Sequence, residues 1–471
     1  MNRIAIVGGG IAGLTAAYAL ETALRRGTPV EYKLFESAGR LGGVLSTEYV
    51  ERCLLEAGPD SWISEKPWAS DLCRELGLAD EIIGSNDAAR RTYILVNSRL
   101  VPMPDGLMFM VPTRILPTVF SPLFSLSTKL RMAREWFHPP QRAAEDETVA
   151  ALVERHYGAE MVERLADPLL TGIYGGDSRQ LSVRAVLPRF VEMEAKYGSL
   201  GRAMLAARGK MAGSPPRPLF ASLKKGMQQL VDALQAQLTA SCIRTHTPVR
   251  SLDRAGNEWI VVTETGGNTE KETFDAAILA LPANVAGDLL TSANAKVASE
   301  LKEISYSSSI TLNLIYDERM TASLPPGFGF LVPRSEGKRM LACTFVHNKF
   351  PHRAPEGRAI VRCFVGGARD EAALDLTESA VIDIARRELN EILGLRAEPI
   401  AVRIQKWRGA MAQYGVGHLD RLDRIERLLA ESPGVTLAGN GYRGIGIPDC
   451  VRSGREAVAK ALQFLGWPPQ S

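Results

Sequence analysis

The chain has 471 residues, 45% of them hydrophobic and 23% charged, the length of two or three domains and the composition of a folded enzyme. A net charge of +3 with no run of like charges argues against nucleic acid as a partner. The six cysteines are scattered without a C-x-x-C pair, so isolated thiols are expected, and no ligand spacing calls for a metal.

The chain opens on "RIAIV", a short apolar strand, with no basic segment and apolar stretch of an export signal. Gly8-Gly9-Gly10-Ile11-Ala12-Gly13 follows and opens a helical run. In that context G-x-G-x-x-G has a physical meaning. The first glycine permits the tight turn, the second lets backbone approach a pyrophosphate, and the third lets helix and strand pack closely. "VEYKLFES" from Val30 reads as a second strand ending in Glu36, whose carboxylate suits ribose hydroxyls and repels a 2′-phosphate. NADP is therefore disfavoured. Arg40, Gly42 and Gly43 come next and offer a second phosphate contact, of use to a cofactor as long as FAD. "RCLLEAGPDSW" reads as a strand and then a turn at Gly58-Pro59-Asp60-Ser61.

From about Lys66 the pattern turns helical, and "TYILVNSRLVPMP" reads as a hairpin. Asp105 to Leu126 is the most apolar stretch, but Pro112, Pro117 and Pro122 interrupt it and Arg114 lies within it, so it does not span a membrane. Two readings remain open for it, a buried helical hairpin and a surface that touches a membrane. Residues 127–208 read as mostly helical with a break at "LLTGIYGGDSRQLS", and "KMAGSPPRP" as a surface loop. A strand, turn and helix follow in "LFASLKKGMQQLVDALQAQL", then strands in "PVRSLDRAGNEWIVVTETGG" and "TFDAAILALPA". "SSITLNLIYD", "GFGFLVPRS", "RMLACTFVHNK" and "RAIVRCFVGG" suggest an antiparallel run, before a helix in "TESAVIDIARRELNEILGL". "EPIAVRIQKWRGAMAQY" reads as a strand leading into a loop, "GVTLAG" as the last strand and "DCVRSGREAVAKALQFLG" as the last helix.

The βα start, the return to strands in the middle and the final strand and helix predict an α/β (α+β) chain with a discontinuous Rossmann-like FAD domain. Residues 1–70, 215–290 and 400–471 would build it. Residues 71–95 with 291–399 would form a substrate-binding sheet domain, and 96–214 a helical domain. A second G-x-G-x-x-G stands at Gly439-Asn440-Gly441-Tyr442-Arg443-Gly444. Only one helix follows it, so no second strand and no ribose carboxylate can complete another dinucleotide unit. It reads instead as the flavin end of the first site, with a helix N-terminus aimed at the ring.

"VGGGIAGLTAAY", "ESAGRLGG", "EAGPDSW", "LLTGIYGGDSRQLS", "GFGFLVP", "KWRGAMAQY" and "LAGNGYRGIGIPDC", in that order along essentially the whole chain, resemble the flavin-dependent protoporphyrinogen oxidase family. The bacterial coproporphyrinogen III-type members are most similar. The resemblance implies a p-hydroxybenzoate-hydroxylase-type fold with a membrane-associating helical domain. It implies FAD held by Gly8 to Gly13, Glu36, Arg40, Gly42, Gly43, Val44, Gly58, Pro59, Asp60 and Ser61. Val249 would pair with the adenine. Trp407, Gly439, Asn440, Ile445, Gly446 and Ile447 would approach the flavin, and the Val451 N–H its pyrimidine edge. The implied substrate is a porphyrinogen in a slot between Phe328 and Leu331 on one side and Thr171, Gly172 and Gly175 on the other. Lys66 would meet a propionate. Many family members carry an arginine where this chain has Thr92. Arg91 precedes it, and for Arg91 a propionate contact and an ordinary surface arginine are both open. The implied reaction is a six-electron oxidation to the porphyrin in haem biosynthesis, with dioxygen as acceptor and hydrogen peroxide as product. No side chain is nominated as a catalytic base, since the chemistry is flavin-centred. A cytoplasmic enzyme is expected, peripheral at the inner face of the membrane, handing its product to a ferrochelatase. A flavin amine oxidase or carotenoid desaturase on the same scaffold is the alternative. Which porphyrinogen is preferred is left open.

Overall fold

The computed structural model describes residues 1–108, 110–141, 145–210 and 218–467. Phe109, in the apolar stretch, and most of the "KMAGSPPRP" loop lie outside them. A five-stranded parallel sheet carries the N-terminal glycines. Its order is Ile243–Arg244, Val30–Phe35, Asn2–Val7, Ala276–Leu279 and Val435–Leu437. Side chains alternate across the first strand. Ile4 and Ile6 pack with the helices Ile11–Arg25 and Ile447–Phe464, whereas Ala5 and Val7 face a cluster that includes Trp259, Val261 and Phe274 of an antiparallel three-stranded sheet. The chain leaves the first strand to one side and later returns to the other. The crevice at the strand's carboxyl end is thus a topological switch point, where such sheets bind ligands.

A second, seven-stranded sheet is built from the middle of the chain. Its order is Ala401–Ala412, Tyr306–Asp317, Arg358–Gly366, Met340–Phe345, Gly329–Leu331, Thr92–Val96 and Arg99–Pro102. The predicted hairpin and antiparallel run are all in it, with one parallel pair between Gly329–Leu331 and Thr92–Val96. The boundary expected at residue 400 needs correction. Ala401–Ala412 is an edge strand of this sheet, paired along its length with Tyr306–Asp317, and the parallel sheet is rejoined only at Val435. Twelve-residue strands of equal length match each other, and a strand's sequence pattern does not name its partner.

The helical section packs Leu152, Val153, Tyr157, Leu165 and Leu170 into a core shared with Ile94, Val96 and Ala412 of the seven-stranded sheet. The expected break at "LLTGIYGGDSRQLS" starts late. The helix Asp167–Tyr174 runs through "LLTGIY" and stops at Gly175, whose φ is +59°. The Asp105–Leu126 stretch is not a helical hairpin. Leu107–Met108 pairs with Val111–Pro112, and a short helix, Ile115–Phe120, follows. Leu123 and Phe124 are buried, while Leu116, Phe120 and Leu126 are 69%, 81% and 73% exposed. Among the described residues no helix is long and apolar enough to cross a membrane.

Candidate active site

The first glycine loop divides its labour. Gly8 has φ +107°, and a Cβ there would stand 2.3 Å from the Ala280 carbonyl oxygen. A Cβ on Gly13 would stand 1.8 Å from the Gly8 oxygen, so this glycine is what lets the helix seat on the strand. Gly10 is different: nothing lies within 4 Å of its Cβ direction. It is the N-cap of the Ile11–Arg25 helix, which has no side-chain cap and no acid in its first turn. Ile11, Ala12 and Gly13 are buried with first-turn N–H groups that a helix cannot satisfy internally. An uncapped, cleared helix start of this kind suits a pyrophosphate.

Glu36 follows the second strand, where its Oε2 accepts from the Gly9 N–H and its Oε1 from the Ala38 N–H, both at 2.7 Å. Oε1 also accepts from the Ser37 hydroxyl at 3.2 Å, and Oε2 keeps a lone pair for a ribose hydroxyl. The second loop folds onto the first: the Gly42 N–H donates to the Gly9 oxygen at 2.8 Å, and Gly10 bridges Gly42. Gly43 lies against the Gly10 Cα. Arg40, expected on a phosphate, donates through its two Nη atoms to the carbonyls of Leu41, Leu45 and Gly43. It acts on the site by shaping this turn. Gly58 continues the line, since its Cβ would meet the Val44 oxygen at 1.9 Å.

The Gly58–Ser61 turn rests on a buried charge cluster that the sequence did not signal. Lys349 Nζ lies 3.0 Å from each Asp60 carboxylate oxygen and 3.1 Å from Ser61 Oγ. Arg353 donates to the Asp60 carbonyl at 2.8 Å and to Ser222 Oγ at 2.7 Å, and pairs with Glu56 at 3.3 Å. Arg362 donates to the Gly58 carbonyl and stands 3.8 Å from Asp60. Burial would raise the Asp60 pKa, but Lys349, Arg362 and Arg353 outweigh it and hold the carboxyl far below its usual range. Trp407, on the Ala401–Ala412 strand, donates its indole N–H to the Ala57 carbonyl at 2.9 Å.

The second glycine loop is held near the first. Gly8 packs on Ala280, and Gly439 approaches the carbonyl of the adjacent Leu281. Asn440 donates to the Ala410 carbonyl at 2.8 Å. Tyr414, which sequence reading did not single out, ties the loop together. Its hydroxyl donates to the Asn440 carbonyl at 2.6 Å and accepts from the Gly444 N–H at 2.9 Å. Burial pushes this phenol well above its ordinary pKa, so it stays neutral. The last helix begins at Ile447, three residues earlier than Cys450, with Gly446 as an N-cap lacking a side-chain cap. Cys450 N–H already bonds the Gly446 carbonyl at 3.0 Å. Val451, one residue further on and fully buried, has its N–H inside the helix ladder by the same geometry. Val451, expected at the pyrimidine edge, thus lies one turn past the free start of this helix. Gly446, Ile447 and Asp449 carry the N–H groups that the helix leaves over. Val249, expected at the adenine, begins the half-buried strand Val249–Ala255.

The expected slot residues meet in part. A Cβ on Gly172, an exposed position of the Asp167–Tyr174 helix, would be 3.3 Å from Leu331 Cδ2, so those two face each other. Ile445 packs in the same apolar cluster as Leu331 and Tyr174. Burial and then Asp449 push the Tyr174 phenol up to about 12. Thr171 is buried, its hydroxyl spent on the Gly176 carbonyl at 3.0 Å, and the Gly175 carbonyl accepts from Ala368 at 2.7 Å. These two hold the end of the helix. Phe328 is 8% exposed, and its N–H donates to the Arg91 carbonyl at 2.8 Å. The Arg91 side chain is exposed. Lys66 is not free for a propionate: its ammonium lies 2.8 and 2.7 Å from the two oxygens of Asp449, and an incoming carboxylate would compete with that pair.

The residues present fit FAD. The fit rests on an uncapped and unobstructed helix start at Gly10, an acid at the ribose position and a buried Gly58 whose N–H has no acceptor among the described residues. Comparison with known proteins agrees. The model of the family "Flavin containing amine oxidoreductase" matches residues 11–462. The coproporphyrinogen III oxidase of Bacillus subtilis (strain 168) is 34% identical over 470 residues, 98% of either chain. The chloroplastic protoporphyrinogen oxidase of Nicotiana tabacum is 27% identical over 98% of this chain and 85% of its own. A solved structure from Exiguobacterium sp. 255-15, described as a protoporphyrinogen oxidase candidate, superposes with a TM-score of 0.88 at 31% identity over 99% of both chains. Cyclohexylamine oxidase from Brevibacterium oxydans IH-35A shares the fold, with a TM-score of 0.68 at 18% identity over 99% of both chains.

Proposed function

The chain belongs to the flavin-containing amine oxidoreductase family, and on that premise we propose that it is an FAD enzyme oxidising a porphyrinogen to a porphyrin in haem biosynthesis. One observation carries the reading: end-to-end similarity to coproporphyrinogen III and protoporphyrinogen oxidases. The apolar facing of Gly172 and Leu331 beside Ile445 supports it. Structural likeness to amine oxidases stops at the fold, and no observation favours an amine or a carotenoid.

Bound FAD supplies a two-electron acceptor for hydride from a ring methylene. The chain's own residues do the rest. Gly10 and the first helical turn bind the phosphates, Glu36 holds the ribose, and Trp407 and the Gly58–Ser61 turn fix the flavin end. Leu331, Gly172 and Ile445 present an apolar wall to the macrocycle and keep water out. Tyr414 holds the second glycine loop through its hydroxyl. Six electrons leave the substrate in three rounds, with dioxygen as the acceptor and hydrogen peroxide as the product. Coproporphyrinogen III is the preferred substrate, in keeping with the 34% identical relative. The enzyme works in the cytoplasm, loosely held at the membrane's inner face, and passes its product to a ferrochelatase. The exposed Leu116 and Phe120 support the membrane contact.

Parallel kinetics with coproporphyrinogen III and protoporphyrinogen IX under air, followed by porphyrin fluorescence and peroxide, test this reading. A yellow protein with higher kcat/KM for coproporphyrinogen III is expected. Purified protein without flavin, or flavin-loaded protein that forms no porphyrin, overturns it.

A further inference from the structure

We infer that the buried cluster of Glu56, Asp60, Lys349, Arg353 and Arg362 is a positioning device. It turns the Ala57–Ser61 backbone toward the flavin and places a net positive charge behind it. The inference rests on reading this turn as flavin-facing. Three cations stand against two carboxylates, leaving one formal positive charge. The Lys349, Arg353 and Arg362 side chains are only 11%, 1% and 4% exposed.

The backbone geometry gives the cluster its direction. Its members and Trp407 take up the carbonyls of the turn: Trp407 that of Ala57, Arg362 that of Gly58, Arg353 that of Asp60. In a trans peptide the N–H points opposite its carbonyl, and the chain has no cis bond among the described residues. The Ser61 N–H is therefore turned away from Arg353, and the Gly58 N–H away from the Trp407 indole. Neither has an acceptor among the described residues, although Gly58 is buried, and Pro59 has no N–H to offer. Two oriented peptide donors, that of Ser61 backed by Arg353 and that of Gly58 beside it, form with the cation excess a preorganised field that favours negative charge in front of them. Reduction of a flavin at neutral pH develops such charge. The five residues come from four separate elements, which is what a held geometry requires and what no local motif encodes.

A charge series tests it. Lys349→Met removes one cation, Asp60→Asn removes one anion, and the double variant restores the net charge while deleting the ion pair. The readout is the reduction equilibrium of the bound flavin, titrated anaerobically against a reference dye. Lys349→Met should disfavour the reduced flavin by on the order of tenfold and Asp60→Asn favour it by a similar factor, for one charge in a partly screened interior. The double variant should fall within about threefold of the wild type, since it carries the same net charge. Equal potentials throughout, two single variants shifted in the same direction, a double variant as displaced as Lys349→Met, or folded variants that have all lost FAD would overturn the proposal. If Lys349→Met does not accumulate as folded protein, the sign of the Asp60→Asn shift decides alone. A wild-type chain that shows the expected order of potentials yet oxidises no porphyrinogen would sink the substrate reading and leave this one standing.

Discussion

Gly10 and Gly13 stand three positions apart in one motif and do opposite work. Gly13 is closed in by the Gly8 oxygen 1.8 Å from its would-be Cβ, whereas Gly10 faces open space with an ordinary φ of −71°. Alanine at the two positions should therefore separate folding from cofactor binding. Gly13→Ala forces helix and strand apart and should cost about 1–3 kcal/mol of stability, as overpacking does. Gly10→Ala should leave the apoprotein's melting temperature unchanged and weaken FAD at least about tenfold, because the new methyl occupies the approach of the pyrophosphate. Melting curves of the apoproteins and flavin titration of each check this. Equal loss of stability at both sites would remove the assignment of Gly10 to the phosphates. This contrast was legible in the sequence, because the motif is local and its strand and helix flank it directly. The roles of Arg40 and Lys66 were not. A basic residue next to a glycine loop reads as an anion contact, and only the fold shows that Arg40 meets loop carbonyls and Lys66 meets Asp449.

At the scale of elements, the last helix shows why boundaries were misread. Ile447-Pro448 precedes the expected helix, yet proline is well suited to a first helical turn, where its missing N–H is not needed. The helical section holds a feature with a pH consequence. His156, on the Val149–Tyr157 helix, is buried between Glu135 Oε1 at 3.2 Å and Glu194 Oε1 at 2.9 Å, on the helices Leu126–Glu135 and Pro188–Tyr197. Arg155 also pairs with Glu194, and the His138 ring lies 5.0 Å away. Burial opposes the imidazolium, but hydrogen bonds to and charges on both glutamates more than offset it, so the His156 pKa is raised. A raised folded pKa contributes stability that is complete below the unfolded value of about 6.5. That stability is lost as pH climbs through the higher folded value. The melting temperature should thus fall from about pH 6.5 upward, with a slope of at most about 1.4 kcal/mol per pH unit from this group. His156→Gln should melt lower at acidic pH and lose that slope. Parallel declines in wild type and variant would show that His156 does not link these helices through its charge.

At the scale of the whole molecule, what the chain order revealed was the parallel sheet and its two glycine loops. It did not reveal which sheet owns residues 401–412, nor a cluster assembled from residues 56, 60, 349, 353 and 362, because such partners are chosen by packing across hundreds of positions. The apolar stretch is the same problem at the surface. Its prolines excluded a spanning helix, but only the fold separates Leu123 and Phe124, which are buried, from Leu116, Val119 and Phe120, which are not. The next helix continues this exposure with Leu126 and Leu130, one turn apart, and Phe137 beyond its end is 81% exposed. A net charge of only +3 gives little long-range attraction to anionic lipid, so attachment should come from apolar insertion and survive high salt. Burying two such side chains is worth about 3 kcal/mol. Leu116→Ser with Phe120→Ser should then reduce co-flotation with phosphatidylcholine vesicles by on the order of a hundredfold. Because both side chains face solvent in the free protein, melting temperature and flavin content should not change. Equal flotation of wild type and variant would remove this surface as the point of contact, and flotation abolished by salt would make the contact electrostatic instead.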